Sequence, residues 1–479
     1  MEHKSNGGGG GSSSNASTHT VVSGMVKNIN EKGTDVHGNP HSPSGVGDDA
    51  LLRSPALRDS ELQDPNPPSS FPDGGPEAWW TVAGASACMF VSFGWINCVG
   101  IFQDYYQEHQ LAAYTPSDIA WISSIQLFFM IFMGVFVGKI LDDHGPAIPL
   151  IMGTFLHVFG LMLTSVSDTY EQIILCQGVL SAIGCSMIFY PAFNCVSTWF
   201  LAKRGIAMGI AVMGSSIGGV IFPIMLIHLI PKIGFGWSIR ACAFLILGLL
   251  IFANFTVRSR LTPVPRPLVI KAFFTPLLEL PFTLTTLAIF FFYCRTLSRK
   301  NPWGMFLPLT YIVVEAIAQG MDPTLAQYLV PILNAASIIG RTVPNALADK
   351  FGHFNMMILM SGFTSLLILA VWLPAHGQSA NIAFAIFYGI GSGAGIGLAP
   401  VLIHKISDLR DLGVRSGTSF SISSLAGLTG SPIAGQIIKS DHSSFKNMKV
   451  YGGISCAVGT ALFIAARLAV GGIGKKKTY

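Results

Sequence analysis

Charge is what this chain has least of. Of its 479 residues only 11% are Asp, Glu, Lys or Arg, while 51% are apolar; a soluble domain carries about 25% charged residues. With a mean hydropathy of +0.55, the composition excludes an ordinary water-soluble fold and indicates a polytopic membrane protein. The eight cysteines (Cys88, Cys98, Cys176, Cys185, Cys195, Cys242, Cys294, Cys456) are scattered, mostly in apolar runs, with no Cys-x-x-Cys pair. Neither a disulfide framework nor a metal site is suggested. A phosphate-binding loop is also missing. The run Gly389-x-Gly391-x-Gly393-x-Gly395-x-Gly397 has neither the G-x-G-x-x-G spacing nor the strand-then-helix setting of a nucleotide fold, and reads as close packing within a helix. Any transport would then draw on gradients, not ATP. No nucleophile–base motif supports an enzyme, and no cofactor or metal is expected. The net charge of +5 is too small for a nucleic-acid footprint and suits the loop Lys and Arg excess that orients membrane helices.

Residues 1–76 differ from the rest. They hold Gly7 to Gly11, a Ser run, several Pro residues and few aromatics, a composition that cannot bury enough apolar surface to fold. No apolar h-region is present, so they do not read as a signal peptide. A disordered cytosolic tail is the expectation.

What is abundant is long apolar runs. Windows fall at about 78–102, 118–138, 146–167, 172–195, 205–230 and 237–257, then at 281–318, 324–347, 355–373, 381–404, 414–438 and 450–470. About 20 apolar residues cross a ~30 Å hydrocarbon core as a helix. The expected fold is therefore an all-α membrane protein with twelve transmembrane helices in two parallel six-helix repeats. The expected parts are a half at 77–257, a cytosolic linker at 258–280, a half at 281–470 and a short cytosolic tail at 471–479. With the N-terminus inside, the inner loops hold Lys139, Lys203, Arg204, Arg258, Arg260, Arg266, Lys271, Lys350, Lys405, Arg410 and Arg415, and the outer loops only Lys232, Arg240, Lys439, Lys446 and Lys449; the basic excess places both termini in the cytosol.

The halves echo one another. Asp142 and Gly145 follow helix 2, as Asp349 and Gly352 follow helix 8; Arg204-Gly205 opens helix 5, as Arg415-Ser416-Gly417 opens helix 11. One window is interrupted. Cys294-Arg295-Thr296-Leu297-Ser298-Arg299-Lys300-Asn301-Pro302 sets three cations in the middle of helix 7, where each is costly. The expectation is a gene-model insertion such as retained intron sequence, with a re-entrant loop as the alternative; a transcript encoding all nine residues would sink the first.

Helix 5 is the most informative stretch. From Gly205 to Ile230 there is no charged residue. At 100° per residue Ala207, Ala211, Gly214 and Gly218 share one side, and Gly205 and Gly209 lie opposite. Small residues on two faces let neighbouring backbones approach where lipid supplies no hydrophobic drive. Trp199-Phe200 followed by Lys203-Arg204 and then Ala207, Gly209, Ala211, Gly214 and Gly218 resembles the signature of the monocarboxylate porter family of the major facilitator superfamily. The run Asp73-Gly74-Gly75 ahead of Trp79-Trp80 resembles the second signature in its fungal form. The resemblance covers about 72–470. It implies a secondary transporter working by alternating access at a midplane site, most often in the plasma membrane, with a vacuolar or other internal membrane as the alternative. A small organic acid or metabolite would be the substrate and membrane lipid the surroundings. Proton coupling and an accessory subunit are left open. Export of a fungal secondary metabolite, or a sensor role without transport, are the alternative functions. In animal members an Asp and, one turn later, an Arg on helix 8 serve coupling and carboxylate binding; here Arg341 matches the Arg, while Ser337 stands at the Asp position.

The candidate site follows. Asn334, Ser337, Arg341 and Asn345 form a polar stripe on helix 8. An Arg inside a membrane faces protein or a wet cavity, and guanidinium offers two parallel hydrogen bonds to a carboxylate; snorkelling to the surface is the competing expectation. Asn97 on helix 1, and Gln177 with Ser181 on helix 4, are further candidates for the cavity wall, interhelical hydrogen bonding being the alternative. Lys203 and Arg204 read as a cytosolic gate paired with Asp142 or Asp143, or else as simple topology anchors.

Overall fold

The computed structural model describes residues 71–265, 267, 269–293, 307–440 and 445–471, and all of them that form regular elements are helical. The expected tail up to residue 70, the proposed insertion at 294–302 and residues 472–479 lie outside the described residues. The helices run α1 (Pro76–Glu108), α2 (Pro116–His144), α3 (Ala147–Thr164), α4 (Tyr170–Trp199), α5 (Arg204–Ile233) and α6 (Phe235–Thr256). After the linker helix Lys271–Leu278 come α7a (Leu280–Tyr293), α7b (Leu307–Ala318) and α8 (Leu329–Phe351). The series ends with α9 (His353–Trp372), α10 (Gln378–Lys405), α11 (Leu412–Ser440) and α12 (Lys446–Gly471).

Among the described residues nine helices are long and apolar enough to cross a membrane, or ten if the linker helix and α7a count as one bent span. The exceptions have a physical reason. α8 carries Asn334, Arg341, Asn345, Asp349 and Lys350, which lower its hydropathy although it is buried among other helices. α11 is rich in Ser and Gly.

Two helix pairs join α1–α6 to α7–α12. α5 packs along α8, and α2 packs along α11. Around them, α1 packs against α4, α5 and α6, while α10 and α12 lie against α8, α9 and α7a. The glycines explain how close the pairs come. A Cβ at Gly205 or Gly209 would run into the Asn345 and Arg341 carbonyls of α8, and one at Gly214 or Gly218 would run into the Ser86 and Phe90 carbonyls of α1. The two small faces of α5 thus serve two different neighbours. α10 behaves likewise: Gly389 and Gly393 abut the Leu333 and Ser337 carbonyls, Gly397 abuts the Asn345 side chain, and Gly391 and Gly395 face α9 and α7a.

Several helices outrun their hydropathy windows. α2 continues to His144, so Asp142 sits in its last turn and not in a loop; Gly145 then ends the helix at φ 78°. α8 ends the same way, with Asp349 in its last turn and Gly352 at φ 92°. Glycine tolerates this left-handed cap without a Cβ clash. Lys446 and Lys449 belong to α12 and not to an outer loop.

Candidate functional site

A cavity of about 180 Å³ lies between α1, α2, α5, α7b, α8 and α10. Asn97, Ser124, Asn334, Ser337, Arg341 and Ser392 supply its polar wall, and Phe93, Ile96, Leu127, Pro223, Val313 and Ile396 are among its apolar residues. It extends past Gln103, Asp104 and Gln327 toward the end of the bundle remote from residue 71. That end is called the far end below, and the opposite one the basic end.

α8 positions the polar side. Asn334 Nδ2 donates to Asn97 Oδ1 at 3.2 Å and to the Val330 carbonyl at 3.0 Å. Asn97 is placed by a break in α1, where its Nδ2 donates to the Phe93 carbonyl at 2.8 Å. Gly219 makes room: a Cβ there would press on both amides. One turn along, Ser337 Oγ donates to the Asn334 carbonyl at 2.7 Å and lies 2.7 Å from Ser216 Oγ of α5.

Arg341 is only 4% exposed. Its Nη1 donates to the Val212 carbonyl at 3.0 Å and to Ser215 Oγ, both on α5, and its buried Nε has no hydrogen-bond partner among the described residues. The side chain therefore turns inward and does not snorkel. A guanidinium held by neutral acceptors beside a cavity retains its positive field and spare donors, a combination that favours an anionic oxygen.

Gln177 is not a cavity residue. It accepts from Tyr106 Oη at 2.7 Å and donates to Gln126 Oε1 at 3.2 Å, tying α4 to α1 and α2. Ser181 is also turned away, 2.9 Å from His157 Nδ1. Both have hydrogen-bond partners inside the α1–α6 set, as buried polar groups generally do.

At the basic end the two sets of six helices are joined by carboxylates on helix N-termini. Asp349 of α8 accepts from the Gly205 and Ile206 N–H groups at 2.7 and 3.0 Å, and Asp142 of α2 accepts from the Gly413 and Val414 N–H groups at 3.0 and 2.8 Å. Each acid satisfies orphan donors at the positive end of a helix dipole. The expected pairing of Arg204 with Asp142 or Asp143 does not form. Arg204 instead donates to the Phe200, Ser197 and His404 carbonyls, and Asp143 pairs with Lys139. The reason is reach: Asp142 is already taken by α11, whereas Asp349 lies at the start of α5. Lys203 is exposed. Ala207 is fully buried.

Three further contacts were not legible in the sequence. Asp73, at φ 48°, turns its Oδ1 onto the N–H groups of Leu201, Ala202 and Lys203 at 2.7, 2.8 and 3.2 Å. The Asp73-Gly74-Gly75 run thus clasps the α4–α5 loop. Ser197 Oγ lies 2.5 Å from His404 Nδ1, bridging α4 to α10. Near the far end, Glu315 of α7b and Lys449 of α12, 2% and 3% exposed, form a buried ion pair. Opposite charges far apart in the chain were the only available hint, and they do not reveal partners.

Comparison with known proteins was made on this geometry. The family model of the Major Facilitator Superfamily matches residues 79–411. MFS-type transporter opdF of Penicillium oxalicum is 49% identical over 85% of this chain and 94% of its own length. The Fujikurins efflux protein of Gibberella fujikuroi is 40% identical over 94% of this chain and 97% of its own. Among solved structures, the human organic anion transporter MFSD10 superposes with a TM-score of 0.62 at 11% identity, covering 83% of this chain and 100% of that one, which speaks to fold alone.

Proposed function

The chain belongs to the Major Facilitator Superfamily, and on that premise we propose that it exports a small, acidic fungal metabolite by alternating access. The observation that carries the reading is Arg341: a buried guanidinium on the cavity wall, hydrogen-bonded only to neutral groups of α5 among the described residues. An anionic oxygen entering the cavity would meet spare guanidinium donors with little water to compete. The amides of Asn97 and Asn334 and the hydroxyl of Ser392 would read neighbouring polar groups, and the apolar wall would take the carbon skeleton. Support for export comes from the efflux role named for the Gibberella fujikuroi relative. Ser337 in place of a family acid argues against lactate-type uptake, although the signature in α5 resembles monocarboxylate porters.

In this reading both termini face the cytosol and the plasma membrane is the site. The closed basic end is then the cytosolic gate, and the cavity belongs to the outward-facing state. Substrate would enter when the Asp142 and Asp349 caps release, and leave past Asp104 and Gln327. The test is an untargeted comparison of metabolites inside and outside cells with and without the protein. A compound that accumulates inside on deletion supports export; one that accumulates outside indicates uptake, and no change in any compound indicates a sensor.

A further inference from the structure

The linker between the two six-helix sets carries an apolar row with no protein partner among the described residues. Ile270 in the turn before the linker helix, Phe274 at the end of its single α-turn (Lys271–Phe274) and Leu278 at the end of the 3-10 turn that follows (Thr275–Leu278) are 70%, 63% and 84% exposed. Three large apolar side chains turned outward in succession mark a surface with an occupant. The opposite side of the same segment is held by protein: Pro276 is buried and Leu277 packs on the hydrophobic core.

Geometry identifies the occupant. The linker helix Lys271–Leu278 meets α7a at 95°. α7a packs along α12, which is long and apolar enough to cross a membrane, so a segment at right angles to α7a runs along the membrane plane. Exposed apolar residues continue on α7a, at Leu280 and Leu287. Exposed Lys271 stands beside the row, with a stem long enough to keep its ammonium among headgroups. We propose that residues 270–278 are an in-plane amphipathic anchor, with the row of Ile270, Phe274 and Leu278 sunk into the boundary between headgroups and acyl chains.

The anchor is tied to a gate helix. Glu279, the next residue, accepts from Arg415 Nη1 and Nη2 at 2.9 and 2.5 Å, and Arg415 lies 4.8 Å over the Phe282 ring. Arg415 is in the first turn of α11, directly after the N–H groups that Asp142 caps. A bidentate pair of this kind fixes orientation as well as distance. The bilayer surface therefore sets the height of Glu279 and, through it, of the α11 N-terminus.

The test uses single nitroxide labels on the full-length protein in lipid nanodiscs, at Ile270→Cys, Phe274→Cys and Leu278→Cys. These side chains are exposed, so the substitutions leave the packed core alone. Leu287→Cys reports lipid and Asp168→Cys, in an exposed loop, reports water; the protein without an added cysteine gives the background of its native thiols. The expected result is a rise in oxygen relative to nickel-chelate accessibility at all three positions, toward the Leu287 value. Nickel access like that at Asp168 would overturn the anchor. So would labels shielded from both probes, because the row would then be covered by protein.

Discussion

In the proposed export, transport turns on Arg341. Arg341→Gln is expected to abolish export of an anionic metabolite while leaving the amount at the cell surface unchanged, measured by transport in intact cells beside surface biotinylation. Arg341→Lys should restore little, since an ammonium cannot present the planar fork that guanidinium does. A second residue-scale prediction concerns Glu315 and Lys449. Each is buried, so Glu315→Gln leaves a buried ammonium without its counter-charge. The expected loss is about 3–5 kcal/mol, read as a lowered unfolding temperature of the purified protein, with part recovered in Glu315→Gln/Lys449→Met. The difference in legibility between these residues is physical. Arg341 stood out because a lone cation amid apolar neighbours on a helix must face protein. Lys449 stands at the edge of a hydropathy window and reads as a loop residue, because its partner Glu315 comes from α7b, far away in the chain.

At the scale of elements, α5 shows how a pattern of small residues becomes an arrangement. Its spacing required two smooth faces; packing assigned Gly205 and Gly209 to α8, and Gly214 and Gly218 to α1. Gly214→Val is expected to cost about 1–3 kcal/mol by overpacking, seen as a smaller monodisperse fraction on size-exclusion chromatography of the solubilised protein. The loop ahead of α5 depends on Asp73. Asp73→Ala removes the acceptor for three backbone N–H groups, so amide exchange at Leu201, Ala202 and Lys203 should quicken while that of α5 beyond its first turn stays unchanged. Helix ends were the weakest part of the sequence reading. Hydropathy ends where charge begins, yet α2 and α8 continue through Lys139 and Asp349 because their last turns are held by the opposing helix rather than by lipid.

For the whole molecule, the proposed gate at the basic end rests on two related contacts, Asp349 on α5 and Asp142 on α11. Asp142→Asn/Asp349→Asn weakens both charge-assisted caps and should shift the protein toward the state open at that end. Cys195 is a native reporter: it lines a crevice of about 580 Å³ there yet is buried. Its maleimide labelling, followed by peptide mass spectrometry, is expected to speed up in the double variant; an unchanged rate would mean that the caps do not hold the gate. By itself the sequence determined the membrane-spanning character, the number and order of apolar runs, the repeat and the polar stripe on helix 8, since these depend on composition and on the period of a helix. Only the tertiary structure decided that Asn97 joins Asn334 while Gln177 serves another helix, and that Arg204 bonds carbonyls while Asp142 caps α11. Those choices turn on which backbones approach within hydrogen-bond reach, and that distance is set by the packing of several helices at once.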